Sequence, residues 1–393
     1  MKKILIGQAG GPTAVFNSSL VGFIEKLPAD IELYVVWNGY KGLAEGNISR
    51  FPLVMKKEIT SYHLVPGAML GAGRYPFTEE KMEQAIEHLR SLQIHSLVFA
   101  GGNGTMAALQ KLSEVASAMS YDLQVIGIPK TVDNDLSETD HAPGFGSAAR
   151  YVALAAQAIS KDLEAMKNFE QVRIIETMGR NAGWLAAASG YLKKSPSEGP
   201  HAIYLPEVPI LKKEFLQTIR DCVKEFGFAT VVASEGVRLI GERQTEQARL
   251  QGRVVLGGIS NRLAELVRDE LGLAVRGENL GMIQRAAFFA VSDQDVKEAI
   301  AVGQEAANLV MSDQSHLMVS LQRASQTEYT FILEHRSLGR VMRAGERLLP
   351  KEMIANREKY YEWLSPLVGT GLVEFPEELE RRIQDEENPC GVQ

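Results

Sequence analysis

The chain has 393 residues, with 42 Lys+Arg against 49 Asp+Glu, a formal charge of −7, and 45% hydrophobic and 23% charged residues. That length suits about two or three domains, and the composition excludes a disordered or collagen-like chain. A mildly acidic balance argues against nucleic acid as the partner while leaving room for local basic pockets that take small anions. The two cysteines, Cys222 and Cys390, cannot build a disulfide framework, and the seven scattered histidines include no His-x-x-x-His pair. A cytoplasmic chain is the natural reading. Residues 4–24 carry no charge over about the length of a membrane span. That run contains Gln8, Gly10, Gly11, Pro12, Asn17, Ser18 and Ser19, too polar and turn-prone for a lipid-facing helix or a secretion signal, so no membrane is expected.

Short apolar runs alternate with helical spacing along most of the chain. Ile4–Ile6 reads as a strand, followed by a glycine turn and a helix over Phe16–Leu27. Glu32–Trp37 is a second strand, ending in NGYKGL. Ser96–Ala100 is a strand that stops at GGNG, and Thr105–Met119 has helical spacing. Val125–Ile128 runs into PKTVDND, and an Ala-rich helix covers Ser147–Met166. Arg173–Glu176 ends at MGRNAG, with a helix over Trp184–Ala188; His201–Leu205, Thr230–Ser234 and Leu317–Leu321 read as further buried strands. The C-terminal EFPEELERRIQDEENPCGVQ is charged and reads as a solvated helix with a frayed end. Strands alternating with helices imply an α/β fold with mainly parallel sheets covered on both faces. The glycine turns fall at strand carboxyl ends, the edge where ligands bind in open α/β sheets.

GQAGGPT is not GxGxxG, and no Gly-Lys dipeptide exists, so neither the dinucleotide fingerprint nor a Walker A loop is present. What remains is Gly10-Gly11 after one strand and Gly101-Gly102-Asn103-Gly104-Thr105 after another. Both would offer backbone N–H groups to an anion, although tight βα turns carry glycine for geometry alone. Lys130-Thr131-Val132-Asp133-Asn134-Asp135 says more. Carboxylates two apart in an extended segment face the same way. One could take a proton from a hydroxyl and the other hold Mg²⁺, while Lys130 neutralises a transferring phosphoryl group. The plainer alternative is an Asx-type turn ending a strand.

The PKTVDND segment resembles the catalytic loop of the phosphofructokinase family. GGPTAVFN, NGYKGL, LGAGRYP, GGNGT, TDHAPGFGSAARY, ETMGRNAGW, IYLPE, SEG and LGMIQR follow the family's order from Lys3 to about Pro350. PKTVDND, GFGSAARY and RNAGWLAAA are most similar to its pyrophosphate-dependent branch; an NAD-kinase-type fold would share only the GG-[DN]-G-T turn. The resemblance implies two Rossmann-like domains: residues 1–140 plus about 285–340 for the phosphoryl donor, 141–284 for the sugar phosphate, and 341–393 as a C-terminal extension. It implies phosphoryl transfer to the 1-hydroxyl of fructose 6-phosphate, with Mg²⁺, in a homodimer or homotetramer. Asp133 would accept the hydroxyl proton, with Lys130 and Arg180 beside it. Gly11, Arg74, Gly102, Asn103, Gly104 and Thr105 would hold the donor. Thr131, Asp133, Met178, Gly179, Arg180, Glu235, Arg276, Met282, Gln284 and Arg285 would bind the sugar phosphate, and Asp135 with Asn103 the metal.

Several positions depart from the family pattern. Pyrophosphate users usually carry aspartate where Gly104 stands, which repels a nucleotide α-phosphate; here that space is open, as in ATP users. Lys130 is the lysine that the pyrophosphate branch keeps. Pyrophosphate is the expected donor, with ATP the alternative. Asn103 replaces an aspartate that helps with Mg²⁺, and an amide oxygen is a weaker ligand. Gln171 stands where many relatives have arginine, and Met282 where they have His or Tyr, which weakens a phosphate clamp or reshapes it for a longer sugar such as sedoheptulose 7-phosphate. Arg173 either reaches the same face or is a solvated edge residue. A weakly active regulatory subunit is the alternative of another class, against which stand the intact Asp133, Asp135, Lys130, Arg180 and Glu235.

Overall fold

Among the described residues, thirteen strands form two parallel-rich sheets and one hairpin. In this computed structural model the described residues are 1–250, 253–325, 328–373 and 375–376. The first five strands are β1 Lys3–Gln8, β2 Glu32–Val36, β3 Ile48–Arg50, β4 Ser96–Gly101 and β5 Gln124–Pro129. Next come β6 Val172–Thr177, β7 Ala202–Tyr204, β8 Ala229–Ser234, β9 Glu246–Leu250, β10 Arg253–Leu256 and β11 Val275–Asn279. β12 Leu317–Arg323 and β13 Phe331–Ser337 close the set. The larger sheet has seven strands in the order β13-β12-β5-β4-β1-β2-β3, the smaller four in the order β11-β6-β8-β7, and β9 pairs only with β10. The central strands of the larger sheet are parallel, while β3 and β13 pair antiparallel at its two edges. All pairs of the smaller sheet are parallel.

Strands buried on both faces read as continuous apolar runs, and β4 (SLVFAG) and β8 (ATVVAS) are buried at every position. One face of the larger sheet packs on Phe16, Leu20, Phe23 and Ile24, with Val302 and Ala306 from the helix Asp293–Met311. The other packs on Ile86, Leu89, Leu109 and Leu112. The larger sheet thus draws its strands from both ends of the chain, with the smaller sheet between them in sequence.

All eight strands read from the apolar runs are present. β3, β9 and β11 carry no such run, and the three-residue runs in β10 (RVVL) and β13 (FILEHRS) border charged residues. The helices expected at Phe16–Leu27, Thr105–Met119 and Ser147–Met166 span Phe16–Lys26, Asn103–Ala118 and Phe145–Ala165. The C-terminal helix read in the sequence lies almost wholly outside the described residues. Among those residues no helix is long and apolar enough to cross a membrane.

Candidate active site

The carboxyl ends of β1, β4, β5, β6 and β8 open onto one cavity of about 660 Å³ between the two sheets. The larger sheet brings Gly11, Gly102, Asn103, Gly104 and Thr105 to its wall, then Lys130, Thr131, Asp133 and Asp135. The smaller sheet brings Met178, Arg180 and Glu235. Arg74 enters from a loop, and Met282 and Arg285 from the start and the last turn of the short helix Ile283–Ala286. These are the sequence-assigned residues except Gly179, Gln284 and Arg276.

The segment after β5 is not extended. Asn134 sits at φ 52°, a left-handed conformation that asparagine tolerates, and its Oδ1 accepts the Ala142 N–H at 3.2 Å. The turn still leaves both aspartates on the wall, so they converge through one left-handed residue and not through strand alternation. Thr131 Oγ1 donates to Asp135 Oδ1 at 3.0 Å and accepts the Asp133 N–H at 3.1 Å, bracing the loop from within.

Lys130 is 4% exposed; its Nζ donates to the Gly11 carbonyl at 2.7 Å and lies 4.8 Å from the centre of the Phe16 ring. Burial lowers its pKa to about 8, against the pull of Asp133 and Asp135. Burial, with repulsion from Asp135 and Glu235, raises Asp133 to about 7, while Arg74 and Lys130 oppose. Asp135 is raised as well, chiefly by burial and against the Thr131 bond. Glu235 rises to about 7 through burial and the neighbouring Glu176, with Arg180 opposing. Burial and the nearby Arg74 lower Arg285. Packing carboxylates and cations this closely out of water is unfavourable without an anionic, metal-bearing ligand to share the charge.

Three sequence-assigned residues stand back from the wall. Gly179 supplies a φ of 127°, and its carbonyl accepts the Ser234 hydroxyl. Gln284 is buried and staples two turns, accepting the Met178 N–H and donating to the Gly281 carbonyl, both at 2.9 Å. Arg276 lies on the edge strand β11 with 62% of its side chain exposed, Nε 3.3 Å from Glu170. Arg285 instead packs on the Gly10-Gly11 turn, where a β-carbon added at Gly11 would meet its Nη1 at 2.6 Å. The two arginines expected to clamp one phosphate therefore do not meet within one chain. Gln171 accepts the Ala274 N–H at 3.1 Å. Arg173 is not a solvated edge residue and lies off the cavity wall: β6 is interior to its sheet, and the residue is 6% exposed, its guanidinium paired with Glu170 at 3.1 Å and Glu278 at 2.6 Å.

Other wall residues escaped the sequence reading. Glu346 accepts from Asn181 Nδ2 at 2.6 Å and lies on the wall near Asp135. It arrives through an antiparallel bridge, Leu136↔Glu346, that joins distant parts of the chain. The β9–β10 hairpin contributes Val255 and Leu256, and Arg180 Nη2 donates to the Val254 carbonyl at 2.7 Å. Past Gly104 the cavity extends along Tyr40, Tyr75, Phe77, Met82 and Ala108 to Lys111. Tyr40 is stacked between Phe77 and Phe99, at 4.7 and 4.5 Å. Tyr40 belongs to the NGYKGL segment, to which the sequence gives no role of its own.

Among the described residues no cluster of three or more His, Cys, Asp or Glu could hold a metal by itself. Asn103 spends its amide nitrogen on the Asp135 carbonyl at 2.9 Å. The oxygen chemistry of Asp133 and Asp135 does fit Mg²⁺, which is commonly held by one or two carboxylates together with substrate phosphates.

The family model described as Phosphofructokinase matches residues 3–310. A sulfofructose kinase of Alkalicoccus urumqiensis is 46% identical over 374 residues, 95% of this chain and 96% of that one. The pyrophosphate–fructose 6-phosphate 1-phosphotransferase of Xanthomonas campestris pv. campestris is 32% identical, covering 93% of this chain and 91% of its own. The solved pyrophosphate-dependent phosphofructokinase of Marinobacter aquaeolei superposes with a TM-score of 0.84 at 32% identity, over 96% of this chain and 94% of that one.

Proposed function

From the premise that the chain belongs to the phosphofructokinase family, and is thereby a phosphotransferase, we propose that it phosphorylates the 1-hydroxyl of a fructose with an anionic group at C6. The acceptor is fructose 6-phosphate and the donor pyrophosphate. The observation that carries this is the convergence of Asp133 with Lys130, Arg74, Arg180 and Arg285 on one cavity.

Asp133 accepts the hydroxyl proton as the sugar oxygen attacks the donor's terminal phosphorus. A carboxylate with a pKa of about 7 is ionised often enough to act and basic enough to keep the proton. The bond to the leaving phosphate breaks as the new P–O bond forms, and Lys130, Arg74 and the N–H groups around Gly11 stabilise the leaving charge. Arg180 and Arg285 face the transferring group, and Glu235 faces the sugar hydroxyls. Mg²⁺, which Asp135 with Asn103 and the phosphates would hold, would offset the charge of the transferred group. The larger sheet's turns hold the donor and the smaller sheet's the sugar. Arg276, on an outer edge, serves a neighbouring copy's cavity, so the working unit is a cytoplasmic homodimer or homotetramer.

A second reading rests on different observations. A sulfonate carries one charge where a phosphate monoester carries close to two, so it needs fewer cations. This chain has Gln171 and Met282 where relatives place arginine and a polar ring, and Arg276 is already paired with Glu170. Together with the 46% identical relative, this supports sulfofructose as acceptor. The open space at Gly104 and the aromatic arm beyond it support ATP as donor, since pyrophosphate has no part to place there. One assay separates the readings: the pure protein with fructose 6-phosphate or sulfofructose, each with pyrophosphate or ATP. Highest kcat/KM for fructose 6-phosphate with pyrophosphate is expected. A preference for either other substrate moves the proposal to the second reading, and no turnover in any combination refutes both.

A further inference from the structure

The TDHAPGFGS segment lies directly behind the catalytic loop. Thr131 bridges Gly144 in parallel fashion, its N–H donating to the Pro143 carbonyl at 3.3 Å, and Ala142 N–H reaches Asn134 Oδ1 at 3.2 Å. Gly144, at φ 104°, also lies against Thr13 beside the Gly10-Gly11 turn, where an added β-carbon would meet Thr13 Cγ2 at 2.6 Å. Residues 142–144 therefore back both the donor turn and the aspartates.

A buried carboxylate holds this backing in place. Asp295, 1% exposed on the helix Asp293–Met311, accepts the Gly144 N–H at 2.8 Å, the Ser147 N–H at 2.9 Å and the Ser147 hydroxyl at 2.6 Å. The helix Phe145–Ala165 has no side-chain cap of its own, so Asp295 takes that part from across the chain. Three residues before Gly144, buried His141 is gripped between Asp140 at 2.9 Å and Glu298 at 2.7 Å, and Glu298 lies one turn along from Asp295.

We propose that Asp295 is a positioning residue for phosphoryl transfer: by fixing residues 142–147 it sets where Asp133 and Asp135 stand relative to the donor turn. This rests on the reading of Asp133 as proton acceptor. Asp295 touches neither substrate, so its loss acts on the chemical step and leaves binding to Arg74, Arg180 and Glu235.

Asp295→Asn keeps the shape but sets an amide N–H₂ against an N–H donor. It should lower kcat by about 10²-fold, as a small misplacement of reacting groups does, with both KM values within about threefold. Ser147→Ala, which deletes only the hydroxyl bond, should give a smaller drop with the same split, and it serves if the asparagine variant does not fold. Ala156→Gly, in the same helix but away from the loop, is the control for lost stability: it should lower the melting temperature and leave kcat unchanged. The proposal is overturned by Asp295→Asn with kcat within about twofold of wild type, by an effect carried in KM, or by an equal loss of kcat in Ala156→Gly. Asp133→Asn is measured alongside: if it alone stays active, the proton-acceptor reading has failed, whereas a dead Asp133→Asn beside a fully active Asp295→Asn removes only the positioning role.

Discussion

A β-carbon built at Gly104 meets no atom within 4 Å, so a side chain can leave the backbone there without a clash. On the proposed donor site, Gly104→Asp would set a carboxylate where a nucleotide α-phosphate would lie. Two such anions about 4 Å apart repel by roughly 4 kcal/mol at an effective dielectric of 20. Turnover with ATP should therefore collapse in this variant while turnover with pyrophosphate persists; parallel steady-state assays check it, and an equal loss with both donors would show that the turn does not flank the α-phosphate. Asp133→Asn should lower kcat by about 10²–10⁴-fold and leave sugar affinity nearly unchanged, because the arginines remain; titration calorimetry beside the rate assay reads both. Near wild-type turnover in that variant would falsify Asp133 as the proton acceptor.

Some elements could be read from sequence and others could not, for a physical reason. A strand buried on both faces must be apolar throughout, which is why β1, β4, β5 and β8 stand out; β13 (FILEHRS) is half-exposed at an edge and carries charge because water reaches it. The glycine turns and the aspartate turn on the cavity wall were legible because a βα fold brings strand carboxyl ends together whatever the details. Glu346, the Val254 carbonyl and the pairing of Arg173 were not, since each depends on contacts between distant segments that no local pattern encodes. The His141 element has a measurable signature. Burial pulls its imidazole pKa down, but Glu298 and Asp140 outweigh that and push it up to about 9. Between the unfolded value of about 6.5 and that point the folded state holds a proton that the unfolded state has released. The stabilisation is complete below about pH 6.5 and is lost as pH rises through 9. Wild type compared with His141→Gln/Glu298→Gln should show an unfolding free-energy difference that shrinks over this window, by at most about 1.4 kcal/mol per pH unit. Urea melts across the range measure it, and a difference independent of pH would mean that His141 is neutral when folded.

At the scale of the whole molecule, Arg276, Met282, Phe288 and Phe289 are all exposed, and the proposed assembly of copies gives Arg276 a use. If Arg276 completes a neighbour's site, then Arg276→Ala and Asp133→Asn chains, each nearly inactive alone, should regain activity when co-assembled, because one mixed site carries both wild-type groups. No recovery after verified subunit exchange would confine Arg276 to a structural role. The larger sheet has a consequence for biosynthesis as well. β5 receives its neighbour β12 only from a segment some 190 residues further on, where Leu317 pairs with Ile126 and the Gln124 amide reaches the Gln314 carbonyl just before β12. While the ribosome is still making the smaller sheet, the nascent larger one presents the bare flank of QVIGIP, an apolar template for any passing strand. Translation stalled or cut short before β12 should thus release chains that aggregate rather than a folded donor half.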